Sequence, residues 1–162
     1  MANQAVETVG YPFTTFNFAV EITREGESER LCSASFSECD GLEMTMQVKT
    51  IREGGNNSEQ IQLTGPLSYG QLTLKRGMTA NFDLWNWFTA TLRYPDLRAQ
   101  AQVIMLAEDG TTTRASFMLS RCMPVKLKAP ALNAKDGMVA IEELQLSYES
   151  LSLRPPGGSP QR

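Results

Sequence analysis

Runs of alternating apolar and polar residues recur along most of this chain, and one short segment breaks the pattern. In "FTTFNFAVEIT" (13–23), Phe16, Phe18, Val20 and Ile22 face one way, and Asn17, Ala19, Glu21 and Thr23 face the other. A period of two marks a half-buried β-strand. The pattern returns in 31–42, 43–53, 61–65, 71–77, 102–120 and 138–153. Between these runs lie Gly26, Asp40-Gly41, "GGNNSEQ" (54–60) and Asp109-Gly110, residues that let a chain reverse. The first two strands are therefore expected to form a hairpin. Residues 43–65 are expected to form a long hairpin with a polar, flexible tip. Residues 122–137, with Pro124 and Pro130, are expected to be an irregular crossing segment. In the last run Val139 and Ile141 have odd parity, whereas Leu144, Leu146 and Tyr148 are even. A β-bulge near Glu142-Glu143 is the expected cause.

The exception is 82–92. Asn81 is a candidate cap, Asp83 suits the positive end of a helix dipole, and the helix stops before Pro95. At about 100° per residue, Phe82, Leu84, Trp85, Trp87, Phe88 and Leu92 sweep an arc of roughly 220°. A surface helix covering its own sheet needs little more than about 100°. Two readings remain open: a helix buried in one large core, or a helix with one side on its own sheet and another on a neighbouring subunit. The long hairpin favours the second, because such an arm has little to do within a compact monomer. Trp85 and Trp87 stand two apart, so they are expected to serve different surfaces.

The 162 residues suit one domain. The expected organisation is an N-terminal arm (1–12), a single β domain (13–153) and a flexible tail (154–162). With 41% hydrophobic and 20% charged residues, the chain is expected to fold without staples. A net charge of −3 with no basic block argues against general nucleic-acid binding. The N-terminus shows no secretory pattern and no run is long enough to cross a bilayer, so assembly in the cytoplasm is expected. Cys32, Cys39 and Cys122 are odd in number and lack zinc spacing. The chain has no histidine, which removes Ser-His-Asp, Cys-His and the common zinc chemistries together.

Other motifs are weak. "REGGNN" has glycines but not the lysine of a phosphate loop. Glu142 and Glu143 are adjacent, so a strand sends them to opposite faces. "LKRG" (74–77) reads as a small basic cluster in a solvated or interfacial turn. No cofactor or metal is expected, and no enzymatic activity.

Taken as an ordered set, "FNFAVEI", "FSECDGLEM", "IREGG", "LTLKRGMT", "LWNWF" and "MPVKLKAPALNAKDGMVAIEELQLSYESL" resemble the phage tail tube protein family. Relatives of that family form the inner tubes of contractile tails, R-type bacteriocins and extracellular contractile injection systems. The resemblance runs from about residue 13 to 152. It implies a mainly β tail-tube fold: two packed antiparallel sheets, as a β-sandwich or half-open barrel, with one flanking helix and a protruding hairpin. It also implies hexameric rings stacked into a tube inside a sheath, with baseplate, spike and cap proteins as partners. The lumen would hold DNA or an effector, and this chain would not insert into a membrane. The particle would be a phage tail or a tail-like injection device, whether released or anchored. Four strands from each of six subunits would give a backbone diameter of roughly 45–50 Å.

On that reading, Arg52, Glu53, Gly54, Gly55, Asn56 and Asn57 are candidates for ring stacking. Phe82, Trp85, Trp87 and Phe88 are candidates for a lateral interface or helix brace. Gln47, Lys49, Gln62 and Thr73 are candidates for the lumen wall. Three other functions stand beside the tube subunit: a tube-initiator or adaptor ring at the baseplate or cap end, a ligand-binding β-barrel, and a carboxylate hydrolase.

Overall fold

The computed structural model describes residues 13, 17–52, 54–55 and 60–157. The expected N-terminal arm, most of the hairpin tip and the end of the tail lie outside the described residues. The strands are β1 (Phe18–Arg24), β2 (Arg30–Ala34), β3 (Glu38–Asp40), β4 (Met44–Ile51), β5 (Ile61–Tyr69), β6 (Gln71–Gly77), β7 (Ala99–Leu106), β8 (Thr113–Lys128), β9 (Ile141–Ser147) and β10 (Ser150–Arg154). The helix α1 (Asp83–Arg93) lies between β6 and β7. Arg154, expected in the tail, ends β10.

All pairings are antiparallel. One sheet runs β2-β1-β7-β8-β10 and the other β8-β9-β6-β3, while among the described residues β4 and β5 pair only with each other. The two sheets face each other across one core. Val20, Ile22, Val103 and Leu119 come from the first, Leu72, Leu74, Leu144 and Leu146 from the second. Leu84 and Trp87 of α1 join the same core. The result is a sandwich, not a closed barrel.

The sheets are joined by strands that cross from one to the other. The 31–42 run, expected as one strand, divides at 35–37. Its first half pairs with β1 and its second with β6, with Phe36 buried at the crossing. Strand β8 spans 16 residues, pairing with β7 and β10 early and with β9 late. Residues 122–128, expected to be irregular because of Pro124, are instead a strand. Pro124 stands opposite Leu146, and the register slips by one before Lys126. A bulge tolerates the missing N–H of proline.

The corner of β8 lies at Arg121, which has φ 51, a left-handed value rare outside glycine. Two β8 residues there oppose one of β7, since Ala99 pairs with Cys122 and Ala101 with Leu119. Arg121 Nε donates to Glu149 at 2.9 Å across the corner. At the other end, the β7–β8 turn is closed by Asp109, whose carboxylate accepts from the amides of Thr111 and Thr112.

The expected bulge at Glu142-Glu143 is absent. Glu142, Leu144, Leu146 and Tyr148 are all buried with uniform parity, and Ile141 pairs in register with Gly77. Val139 and Ile141 misled because they are exposed apolar residues outside the core. Arg121→Gly should leave stability unchanged or raise it by up to about 1 kcal/mol, because the relieved strain exceeds the lost surface ion pairs. Arg121→Val should lower it by about 1–3 kcal/mol. Urea denaturation of the two variants checks both signs.

Candidate functional site

No polar cluster among the described residues has the form of an active centre; the fold displays surfaces. One of them is the β4–β5 arm. Its base is built for a sharp exit from the sandwich. Gly41 has φ +95, and a Cβ there would lie 1.8 Å from the Gln71 carbonyl oxygen, so only glycine fits. The Tyr148 hydroxyl donates to Gly41 O at 2.7 Å and accepts from the Glu43 amide at 3.1 Å. The rings of Tyr148 and Tyr69 lie 5.6 Å apart. Tyr69 and Leu42 pack on the edge of the core. The arm is therefore a continuation of the β3–β6 pair, bent at its root and pinned by one tyrosine.

Beyond the root every residue of β4 is exposed, and β5 is nearly so. Met44 pairs with Tyr69 and Met46 with Leu67, placing those side chains on one face. The ladder then slips between Met46 and Val48, where Gly65 and Pro66 oppose Gln47. A Cβ on Gly65 would sit 2.5 Å from the Gln47 carbonyl oxygen, so this bulge also requires glycine. Past it, Lys49 pairs with Leu63 and Ile51 with Ile61. Those pairs lie on the opposite face from Met46 and Leu67, because successive β4 residues alternate. Past the bulge Leu63, Ile51 and Ile61 thus stand on one face of the arm, while Val48, also exposed, stays on the Met46 face.

Of the residues expected in ring stacking, Arg52, Gly54 and Gly55 are exposed at the turn, and Gly55 has φ +101. Glu53, Asn56 and Asn57 lie outside the described residues. Of those expected to line a lumen, Gln47 and Lys49 share one face of β4. Gln62 pairs with Thr50 and so lies on the other face. Thr73 sits in the second sheet between Asp40 and Gln145, on the side away from the core. The four do not form one surface. The sequence pattern missed this because the bulge at Gly65 reverses the parity of β5.

The outer face of the second sheet carries a row of charges that the linear sequence scatters. Lys128, Glu143, Lys75 and Glu38 stand side by side across four strands. Lys75 Nζ reaches Glu38 at 2.7 Å, and Lys126 Nζ reaches Glu143 at 3.4 Å. Opposite charges at neighbouring positions leave a wetted wall with little net field.

Helix α1 caps the end of the sandwich away from the arm. The N-cap is Phe82 and not the expected Asn81, whose side chain, one residue earlier, accepts from the Asp83 amide at 2.9 Å. Leu84 and Trp87 are fully buried, whereas Phe82 is 52% and Leu92 73% exposed. Trp85 and Phe88 are half-buried at the border. The two tryptophans do separate: Trp87 fills the core, and the Trp85 indole donates to Glu142 at 3.1 Å. The apolar arc is wider than the stripe the single chain buries.

Beneath Trp85 lies a feature that the sequence pattern misplaces. "LKRG" is not a basic turn: Lys75 faces out, but Arg76 is 4% exposed. Its Nε donates to Glu142, itself 2% exposed and directly opposite in the β6–β9 register. The same guanidinium donates to Asn81 O at 3.2 Å and reaches Cys32 Sγ at 3.4 Å, with the Phe36 ring 5.9 Å away. Glu142 is therefore committed to Arg76 and Trp85, and Glu143 points to the opposite face, as expected.

The thiols do not form a reactive set. Burial, with the nearby Asp40 charge, pushes Cys39 up to about 11, and burial pushes Cys122 up to about 12. No group of three or more potential metal ligands occurs among the described residues. A cleft of about 380 Å³ opens where β3 meets the first sheet, lined by Phe18, Cys39, Leu42, Val103 and Phe117. No helix among the described residues is long and apolar enough to cross a membrane.

A family model described as "T4-like virus tail tube protein gp19" matches residues 14–152. No curated protein matches the chain. Several solved structures share its fold. A chain of the six-fold symmetrised anti-feeding prophage baseplate is 25% identical with a TM-score of 0.80, over 91% of this chain and 99% of that one. A chain of the sheath–tube complex of the extracellular contractile injection system PVC is 19% identical with a TM-score of 0.77, over 91% and 94%. A chain of the anti-feeding prophage tube-terminating cap is 22% identical with a TM-score of 0.76, over 96% and 99%.

Losing one partner of a buried ion pair costs about 3–5 kcal/mol, whereas replacing both with apolar residues is often neutral. Glu142→Ala should therefore destabilise the protein by about that amount. The Arg76→Met/Glu142→Leu double variant should recover most of the loss. Equilibrium denaturation of both variants tests this.

Proposed function

Because this chain belongs to the T4-like virus tail tube protein family, we propose that it is an inner-tube subunit of a contractile tail or injection system. It forms six-membered rings that stack into a tube, with a sheath outside and baseplate, spike and cap proteins at the ends. The observation that carries this reading is the arm. A two-stranded ribbon is marginal alone in water, yet this one stands clear of its body with apolar side chains uncovered. Contiguous exposed apolar surface of that kind marks an interaction site. Among the described residues the outer edges of β2, β3 and β10 are also unpaired, and ring closure would cover edges that otherwise invite aggregation.

The charge row on the second sheet suits the wall of a channel. Alternating lysine and glutamate holds water and gives passing cargo, whether DNA or an effector protein, no apolar surface to stick to. Thr73 is assigned to that wall with the charge row and Gln62 is not, while Gln47 and Lys49 share their face of the arm with the exposed Leu63, Ile51 and Ile61. Helix α1 is assigned to the lateral contact through Phe82, Trp85 and Phe88, with Trp87 serving the core. The role is mechanical, not enzymatic.

A second reading is an adaptor or initiator ring at one end of the tube. The likeness to a chain of the anti-feeding prophage baseplate, at 25% identity, supports it. Locating the chain within an assembled particle by electron microscopy separates the two: along the whole tube for the first, at one end for the second.

The purified chain should form six-membered rings or tubes visible by negative-stain microscopy. Phe82→Asp alters an exposed residue, so it should leave the circular dichroism spectrum intact and abolish rings. Removing Gly55 to Asn57 should leave rings and stop long tubes. A folded chain that stays monomeric at high concentration would refute the tube reading.

A further inference from the structure

We propose that Asp40-Gly41, at the root of the arm, is a self-modification site: the folded chain converts Asp40 to isoaspartate there and loosens the arm from the body. The chemistry needs only water and does not depend on the tube reading.

The sequence holds three Asp-Gly pairs, at 40, 109 and 136. A glycine after an aspartate leaves its amide nitrogen unshielded, so that nitrogen can attack the carboxyl carbon of the aspartate before it. The linear sequence treats the three pairs alike, and the fold does not. The Asp109 carboxylate accepts from the Thr112 hydroxyl and amide and from the Thr111 amide. Those bonds hold it well below the usual carboxylate range, in the unreactive ionised form. The Gly110 amide is itself engaged, donating to Ala107 O at 2.9 Å. At Asp136 the carboxylate accepts from the Asn133 side chain at 2.6 Å, which ties it to the residues before it and not to Gly137.

Asp40 is the opposite case. The Gly41 amide donates to Asp40 Oδ1 at 2.8 Å. The nucleophile therefore already lies against the carboxyl group whose carbon it must attack. Asp40 is exposed and ends β3, so water reaches it and no ladder continues beyond it.

A bond between Gly41 N and Asp40 Cγ closes a five-membered imide. The amide gives up its proton and the carboxyl, in its acid form, gives up its hydroxyl, so one water leaves. Water then adds back. Addition at Cγ restores aspartate. Addition at the main-chain carbonyl carbon of Asp40 leaves Gly41 attached through Cγ, and the former main-chain carbonyl becomes a free carboxylate. The main chain has gained a methylene.

That carbon enters where the fold has little room. Gly41 lies so close to Gln71 that no Cβ fits, and Gly41 O accepts from the Tyr148 hydroxyl at 2.7 Å. Lengthening the chain just before Gly41 displaces both contacts. Asp40 and Gly41 are outside the core, so the body stays folded while the arm loses the tyrosine that pins it.

The full chain is aged in mildly acidic buffer, native and in guanidinium chloride, until the unfolded sample carries isoaspartate. Isoaspartyl methyltransferase with labelled S-adenosylmethionine measures the product, and electron-transfer fragmentation of tryptic peptides locates it. In the native chain Asp40 should convert several-fold faster than Asp109 or Asp136, and in the unfolded chain the three should react alike. Asp40→Glu keeps the charge but must close a larger, less favoured ring, so it should remove the native signal. Hydrogen exchange at the Glu43 amide, which donates to the Tyr148 hydroxyl, should speed up in the converted fraction at an unchanged thermal melt. Equal native rates at the three pairs, an intact Asp40 while the unfolded chain converts, or the same preference for Asp40 in the unfolded chain overturns the site. Unchanged exchange at Glu43 in converted protein overturns the loosening of the arm.

Discussion

A guanidinium and a carboxylate face each other across β6 and β9, both out of water, and the layout of the molecule depends on keeping them paired. An unpaired charge in that position costs several kcal/mol, so the register that sets Arg76 against Glu142 excludes its neighbours. A slip of one residue would also turn Leu72, Leu74, Leu144 and Leu146 out of the core. The pair reaches beyond its own strands. Through Asn81 O it fixes the start of α1, and through the Trp85 indole it fixes the first turn of the helix against the sheet. Sheet register and helix placement are therefore one decision, taken at one buried contact.

The other end of the same sheet is governed by different chemistry. There the constraint is close approach of backbone, met by Gly41 and by the Tyr148 hydroxyl, which links β9 to the root of the arm. A charge pair holds one end of the sheet and a tyrosine the other, and seven residues of β6 connect them. The arm inherits its direction from a rigid frame. Its own two strands need only supply a surface, and they place their apolar residues at exposed positions instead of in a private core.

How much of this was legible depended on whether a period of two was left undisturbed. The strands β1, β6 and β7, the helix and the long hairpin were readable because their apolar residues alternate or cluster without interruption. Pro124 hid the second half of β8, since a proline normally ends a ladder and only the adjacent bulge lets this one stay. Val139 and Ile141 imitated core positions and shifted the apparent parity of β9. Read by parity alone, Leu72-x-Leu74-x-Arg76 and Glu142-x-Leu144-x-Leu146 do point a cation and an anion inward. The signal was present, but a charged residue at an inward position is readily taken for the end of a strand. The four lumen candidates do not share one face for a related reason: glycine at 65 is visible in the sequence, but its reversal of β5 emerges only once the partner strand is in place.

The bulges share one physical role. Each inserts an extra residue into a ladder, at Arg121, at Val125 or at Gly65, and each redirects the strand beyond it. At Arg121 the redirection carries β8 from one sheet to the other and closes the core. At Gly65 it moves the apolar side chains of β5 from one face of the arm to the other. A sandwich with regular strands throughout would cover its own surfaces and stop there. The irregular residues send apolar surface outward in more than one direction, and a subunit whose uncovered surfaces point in different directions is suited to contact more than one neighbour at once.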